Sequence, residues 1–197
     1  GYRLCPWRRS HVCVYICKSE DGADNSHERS TCDEAGSNER ALLYSFCRSF
    51  CTYCDFYSEV AGRCRSKEDA LKQEVMFEKF ADALVNEISL RADEISDEVN
   101  TLYIGGGTPS VLPLRVLERI LSSLHEIGHG GPYEEFTVEV NPEDIVEKGE
   151  SYVKGLLALG VNRISMGVLF FDDGILKFMN RRHDADTARK AYEILEA

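Results

Sequence analysis

With 34 acidic side chains against 23 basic ones in 197 residues, a net charge of −11, the chain lacks the surplus of Lys and Arg that broad binding to a phosphate backbone requires. The length suffices for one ordinary domain with its own core, and a hydrophobic share of 43% agrees with a soluble globular class. No run of 18 apolar residues occurs, so nothing in the sequence reads as a membrane span.

Taken in chain order, residues 1–17 hold three Arg and no acid, and the chain opens on Gly1 rather than Met. The start, GYRLCPWRRS, lacks the apolar stretch of a secretory signal, so the eight cysteines are not expected to form an extracellular disulfide framework. The expected compartment is the cytoplasm, or a mitochondrion or plastid if the basic stretch is a transit remnant. VCVYIC (12–17) is one candidate for the first strand. Residues 18–40 contain seven acids and no Val, Ile, Leu, Met, Phe, Tyr or Trp. Such a segment cannot bury enough apolar area to offset its ordering entropy, so 18–44 reads as a disordered polar insertion, with ALLYSF (41–46) as the alternative first strand.

From residue 45 to 197 strand and helix signals alternate. Ser66 and Asp69 resemble a capping box, and Phe77, Phe80, Leu84 and Ile88 recur at helical spacing up to about Ala92. TLYIGGG (101–107) reads as a buried strand running into a glycine turn. Leu117, Ile120, Leu121 and Leu124 mark a second helix, and FTVEV (136–140) alternates as a strand that Asn141-Pro142 stops. A third helix is expected near 148–159, closed by Gly160. RISMGV (163–168) is the next strand, Asp172 and Asp173 can cap a helix after it, and Ala188, Ala191, Tyr192 and Leu195 carry helical periodicity to the end. Strands alternating with helices of this length predict βαβ crossovers and a parallel sheet. The sequence ends inside a helix pattern, which suggests a piece of a larger barrel.

CRSFCTYCDFYS (47–58) carries the chemistry. Cys47, Cys51 and Cys54 stand at C-x3-C-x2-C spacing with no fourth ligand nearby; Cys64 is ten residues on, and no His intervenes. Structural zinc usually takes four ligands, often from paired C-x2-C knuckles, and suits this pattern poorly. Buried structural thiols have no reason to crowd one loop. An iron–sulfur cluster fits better, since three thiolates on a four-iron cluster leave one iron free for an exchangeable ligand. Such a centre calls for a reducing compartment.

The C-x3-C-x2-C loop resembles the signature of the radical S-adenosylmethionine superfamily. Together with LYIGGGTPSVL, FTVEVNPEDI, GVNRISMGV and FDDGILKFMNRRHDA it resembles the oxygen-independent coproporphyrinogen oxidase-like branch, and within it the HemW heme chaperones. The blocks cover most of residues 46–197 in that family's order. The resemblance implies an α/β fold, a partial TIM-like radical S-adenosylmethionine barrel of about the first four βα units. It implies that Cys47, Cys51 and Cys54 hold a [4Fe-4S] cluster and that S-adenosylmethionine chelates the free iron. Tyr53, Gly106, Gly107, Thr108, Glu139 and Arg181 match that family's contacts to this cofactor.

From the residues alone, bland readings stand beside these. Gly105-Gly106-Gly107 also reads as a tight turn, Glu139 as a solvated strand edge, and Arg181 as a basic residue complementing a helix C-terminus. His183 reads as a surface or capping histidine. Three departures from the family's pattern stand out. Ala41 occupies the place of a tyrosine six residues before the first cysteine, with Tyr15 as its displaced equivalent if 18–44 is an insertion. Leu169-Phe170-Phe171 replaces Gln-Ser-Phe or Gln-Asp-Phe, and leucine offers no hydrogen bond to a cofactor. The later motifs, the heme-associated one included, lie beyond these residues.

The resemblance supports two functions, and the departures from it motivate a third. The first is a chaperone that holds heme as cargo and passes it to an acceptor protein. The second is an oxidoreductase, anaerobic coproporphyrinogen III oxidase, which works through a 5'-deoxyadenosyl radical. The third is a degenerate protein without a competent cofactor site. Phe56 separates the first two, because the oxidase has a further cysteine there.

Overall fold

A computed structural model describes residues 13–15, 39–55, 59–61, 66–94 and 99–197. In chain order the elements are β1 (Cys13–Tyr15), β2 (Glu39–Tyr44), β3 (Phe46–Cys47), β4 (Glu59–Val60), α1 (Lys67–Leu90), β5 (Thr101–Gly106) and α2 (Leu114–Glu126). They continue with β6 (Glu135–Val140), α3 (Pro142–Ala158), β7 (Arg163–Met166), α4 (Asp173–Phe178) and α5 (Ala185–Glu196). Short 3-10 turns occupy Ala92–Glu94 and Pro109–Val111.

The main sheet has the order β1-β2-β5-β6-β7. β2, β5, β6 and β7 are parallel neighbours, and each is followed by helix, which makes four consecutive βα units. The α/β expectation and the number of units are borne out. Both first-strand candidates form strands: ALLYSF supplies most of the first parallel strand, whereas β1 lies antiparallel outside it. In that pairing Tyr15 stands opposite Ala41, the place where the family's tyrosine was expected.

Two sequence-based boundaries change. The polar insertion expected over 18–44 does not extend to residue 44, because Glu39–Tyr44 pairs with β5 and buries Leu42 and Tyr44. Residues 18–38 lie outside the described residues. The third helix begins at Pro142, not near 148. Asn141 accepts a hydrogen bond from the Glu143 amide as N-cap, and proline at the first helical position has no amide to satisfy, so the pair that stops β6 also starts α3. A non-helical Gly149 (φ 65°) separates this added turn from the helix that the periodicity marks.

α1 and α2 cover one face of the sheet. The Ser66 hydroxyl caps α1 by accepting from the Asp69 amide at 3.0 Å, and Phe77, Phe80, Ala81, Leu84 and Ile88 are its buried stripe. They meet Leu117, Ile120 and Leu124 of α2 and Leu42, Tyr44, Leu102 and Ile104 of the sheet in one core. Phe80 stands edge-on to both Tyr44 (centroids 5.0 Å) and Phe46 (5.6 Å), the favoured geometry for aromatic pairs. Each such side chain contributes about 1.5–3 kcal/mol by burial. Further along, α5 lies on α3, with the small Ala188 and Ala191 buried in α5 and Tyr152 and Leu156 buried in α3. The parallel strands thus end on one side, at Tyr44, Gly106, Val140 and Met166, where α/β folds bind ligands.

Candidate functional site

One residue beyond the end of β2 the chain enters β3, which delivers Cys47 to the carboxyl side of the sheet. The β3–β4 pair closes the base of the cysteine loop: the Glu59 amide donates to Ser45 O at 2.7 Å and the Ala61 amide to Cys47 O at 2.8 Å. The far side of the loop is gripped by the end of α4. The Thr52 amide donates to Met179 O (3.2 Å), the Thr52 hydroxyl to Phe178 O (3.3 Å), and the Asn180 side-chain amide to Phe50 O (2.5 Å). The Cys47 and Cys51 side chains are half-buried and Cys54 is exposed.

Arg181 is placed by the way α4 stops. Asn180 takes a left-handed conformation (φ 56°), its amide donates to Lys177 O (3.1 Å), and the Arg181 amide donates to Leu176 O (2.9 Å). This pair of bonds is the Schellman ending, with asparagine in the position glycine usually holds. It turns Arg181 away from its own helix. The guanidinium lies 3.5 Å from the Cys51 sulfur and 3.3 Å from the Tyr53 hydroxyl, and donates to Gly167 O at 2.6 Å beyond β7. Its Nε is buried without a hydrogen-bond partner. Arg181 is therefore not a helix-dipole residue. Burial raises the Tyr53 hydroxyl above its ordinary pKa, with Arg181 acting the other way.

The glycine motif connects this cluster to Glu139. A Cβ on Gly106 (φ +110°) would meet Tyr44 O at 2.5 Å, and one on Gly107 would meet Phe46 O at 2.5 Å. Glycine is required here for the close passage of β2 and β3, a requirement that only the pairing of distant segments reveals. The Thr108 amide donates to Phe46 O (2.8 Å), and its hydroxyl lies 3.5 Å from the Cys47 sulfur. Glu139, on β6 opposite the end of β5, accepts from the Gly106 amide at 3.0 Å and from the Tyr103 hydroxyl. A Cβ on Gly105 would strike the Tyr103 ring at 2.3 Å, so that glycine clears the space in which tyrosine reaches Glu139. Glu139 is thus a held carboxylate rather than a solvated edge. Burial, then the Glu139 carboxylate, pushes the Tyr103 hydroxyl well above its usual range.

Several residues around the site were not anticipated. Tyr103 could have been found, since Tyr103, Gly105 and Glu139 share a face once β5 and β6 are paired. Arg48, Ser110, Asp144 and Arg182 form a buried polar group behind the loop and left no local signal. His183, expected as a surface or capping histidine, is buried. It donates through Nε2 to Val168 O at 3.1 Å, and burial, then the neighbouring Arg181, lowers its pKa. Leu169 is half-exposed with φ 66° inside a γ-turn closed by Phe170 N to Val168 O (2.9 Å). Phe56 and Cys64 lie outside the described residues. Among the described residues no three His, Cys, Asp or Glu side chains converge on a point as a single metal ion would need.

The sequence model of the Radical SAM superfamily matches residues 42–197, from β2 through α5. The chain belongs to the radical SAM superfamily. It is 36% identical over 151 residues to the heme chaperone HemW of Lactococcus lactis, covering 77% of this chain and 35% of that protein. It is 33% identical over 162 residues to anaerobilin synthase of Escherichia coli O157:H7, covering 79% of this chain and 33% of that protein. The fold matches the solved structure of coproporphyrinogen III oxidase from Escherichia coli, itself a radical SAM enzyme, with a TM-score of 0.64 and 27% identity over 78% of this chain and 33% of that one. The chain spans about a third of the length of these relatives.

Radical SAM membership implies a [4Fe-4S] cluster and S-adenosylmethionine, and the residues present fit both. Three soft thiols on one partly exposed loop, without a fourth, match a cluster that keeps one iron open. Beside them the buried, unpartnered Arg181 Nε suits an acceptor such as a carboxylate. No helix among the described residues is long and apolar enough to cross a membrane.

Proposed function

We propose that this chain is the cluster- and cofactor-binding part of a HemW-like chaperone, which holds heme and transfers it to an acceptor protein. Cys47, Cys51 and Cys54 would ligate the [4Fe-4S] cluster. Tyr53, Gly106, Gly107, Thr108, Glu139 and Arg181 would receive S-adenosylmethionine, whose one-electron reduction is the chemistry the cluster supplies when bound. Within this chain the division of labour follows from charge. Glu139, held by Tyr103 and the Gly106 amide, is fixed for a cationic amine. Arg181, held by Gly167 O, offers donors to a carboxylate. Thr108 and Arg181 place donors beside the Cys47 and Cys51 sulfurs, where they stabilise thiolate.

The observation that carries the chaperone reading is Phe56 in Cys-Asp-Phe, where the oxidase has a further cysteine. The likeness to the oxidase structure supports a second reading, a radical oxidoreductase acting on coproporphyrinogen. Heme titration of the cluster-loaded intact protein, beside an assay for decarboxylation of coproporphyrinogen III, separates them. Stoichiometric heme binding without turnover is expected; turnover without heme binding would replace the chaperone by the oxidase.

A further inference from the structure

Behind the cysteine loop, the start of α3 gathers three acids and three bases. Asp144, fully buried, accepts from the Ser110 hydroxyl at 2.7 Å and faces two guanidinia: Arg48 Nε at 3.3 Å and Arg182 Nη1 at 3.8 Å from Oδ1. Arg48 also pairs with Glu147, and Arg182 with Glu143 at 2.7 Å. Lys148 donates to the carbonyls of Ser110, Val111 and Leu112 at 2.5, 3.2 and 2.9 Å, which ties α3 to the turn after the glycine motif. Ser110 Oγ in turn accepts from the Asn141 amide at 3.0 Å, at the end of β6.

The two arginines are not ordinary neighbours of the site. Arg48 is the residue after Cys47, and Arg182 is the residue after Arg181, so one buried carboxylate oxygen, which makes no hydrogen bond, faces by charge both the side chain next to a thiol and the side chain next to the guanidinium at Cys51. The direct ties between those two loops run through backbone carbonyls, Asn180 and the Arg181 guanidinium at Cys51 and Tyr53. Asp144 adds a buried charge contact to a side chain of each of the same two segments.

We propose that Asp144 is the positioning residue that sets the cysteine loop and Arg181 relative to each other, with Arg48 and Arg182 as its two arms. This rests on the reading of the site as a cluster and S-adenosylmethionine site. Removing either arm affects a different property. Losing Arg48 frees the Cys47 end of the loop and weakens retention of the cluster. Losing Arg182 lets Arg181 drift and weakens the cofactor while the cluster stays.

The test uses the intact protein, reconstituted anaerobically, as wild type, Arg48→Met, Arg182→Met, Arg182→Lys and Asp144→Asn. Release of iron to a chelator and the affinity for S-adenosylmethionine are measured for each. Arg182→Met is expected to bind the cofactor roughly tenfold more weakly with wild-type iron release, and Arg182→Lys to recover most of that loss. Arg48→Met is expected to release iron several-fold faster, and its apo form to alkylate faster at Cys47. Asp144→Asn is expected to show both defects; should it fail to fold, the two single-arm variants decide. Equal iron release and equal cofactor affinity in both arm variants, whatever their melting temperatures, would overturn the inference alone. A wild-type cluster that ignores S-adenosylmethionine would overturn the site reading and the inference with it.

Discussion

The chain uses Arg–carboxylate pairing in two places, with different consequences. On the outside, Arg115 and Arg119 of α2 reach Glu74, Glu78 and Asp82 of α1 across the helix seam, with every partner about half exposed. Inside, Asp144 is fully buried between Arg48 and Arg182, which are themselves mostly covered. Water screens the outer ladder and would solvate its members if they separated, so its pairs add little. A buried carboxylate left alone has no such refuge. The dry core under α1 and α2 stabilises the fold without help from the ladder, whereas the polar group beneath the cysteine loop trades apolar packing for fixed geometry.

Asp144→Ala should cost about 3 kcal/mol in denaturant unfolding, because it leaves Arg48 and Arg182 with only Glu147 and Glu143 and takes the acceptor from the buried Ser110 hydroxyl; a loss near that of a surface pair would refute the inner arrangement. Leu84→Ala, in the dry core between helix and sheet, should cost about 3 kcal/mol but leave iron content and thiol reactivity unchanged. An altered cysteine loop in that variant would mean the two regions are not independent.

A smaller effect should come from His183. Its folded-state pKa lies below the ordinary value of 6.5, with burial the main cause, so the unfolded chain takes up the proton first as pH falls. The stability that the neutral ring contributes is present above pH 6.5 and lost as pH drops through the folded value. Unfolding followed between neutral and mildly acid pH should show a steeper decline for wild type than for His183→Gln, and identical slopes would contradict the buried neutral imidazole. Smallest of all, Arg115→Ala should change stability by less than about 1 kcal/mol and lose even that at high salt.

Much of the fold was legible because helices and strands announce themselves locally. Phe77, Phe80, Leu84 and Ile88 gave α1, and the alternation of FTVEV gave β6. The start of α3 was missed because Asn141-Pro142 has two meanings, strand end and helix cap, and only the first was taken. For the site, the thiol spacing was legible, and Cys47, Gly106 and Glu139 lie at or next to the carboxyl ends of strands. The contacts of Glu139 and Arg181 were not readable from their own segments. One depends on a partner on the neighbouring strand, Tyr103, and the other on a left-handed asparagine that redirects the chain. Asp144 was invisible for the same reason: its partners are far away in sequence, at 48 and 182. His183 was misjudged because burial of a single polar ring leaves no pattern at all.

The central claim is that the Cys47–Cys54 loop and Arg181 form one site for a four-iron cluster and S-adenosylmethionine. Anaerobic reconstitution with iron and sulfide, followed by electron paramagnetic resonance of the reduced cluster with and without S-adenosylmethionine, tests it most directly. Wild type should load a four-iron cluster whose spectrum shifts on adding the cofactor, and Cys51→Ala should fail to hold it. An intact four-iron cluster in Cys51→Ala, or a wild-type spectrum indifferent to S-adenosylmethionine, would contradict the account.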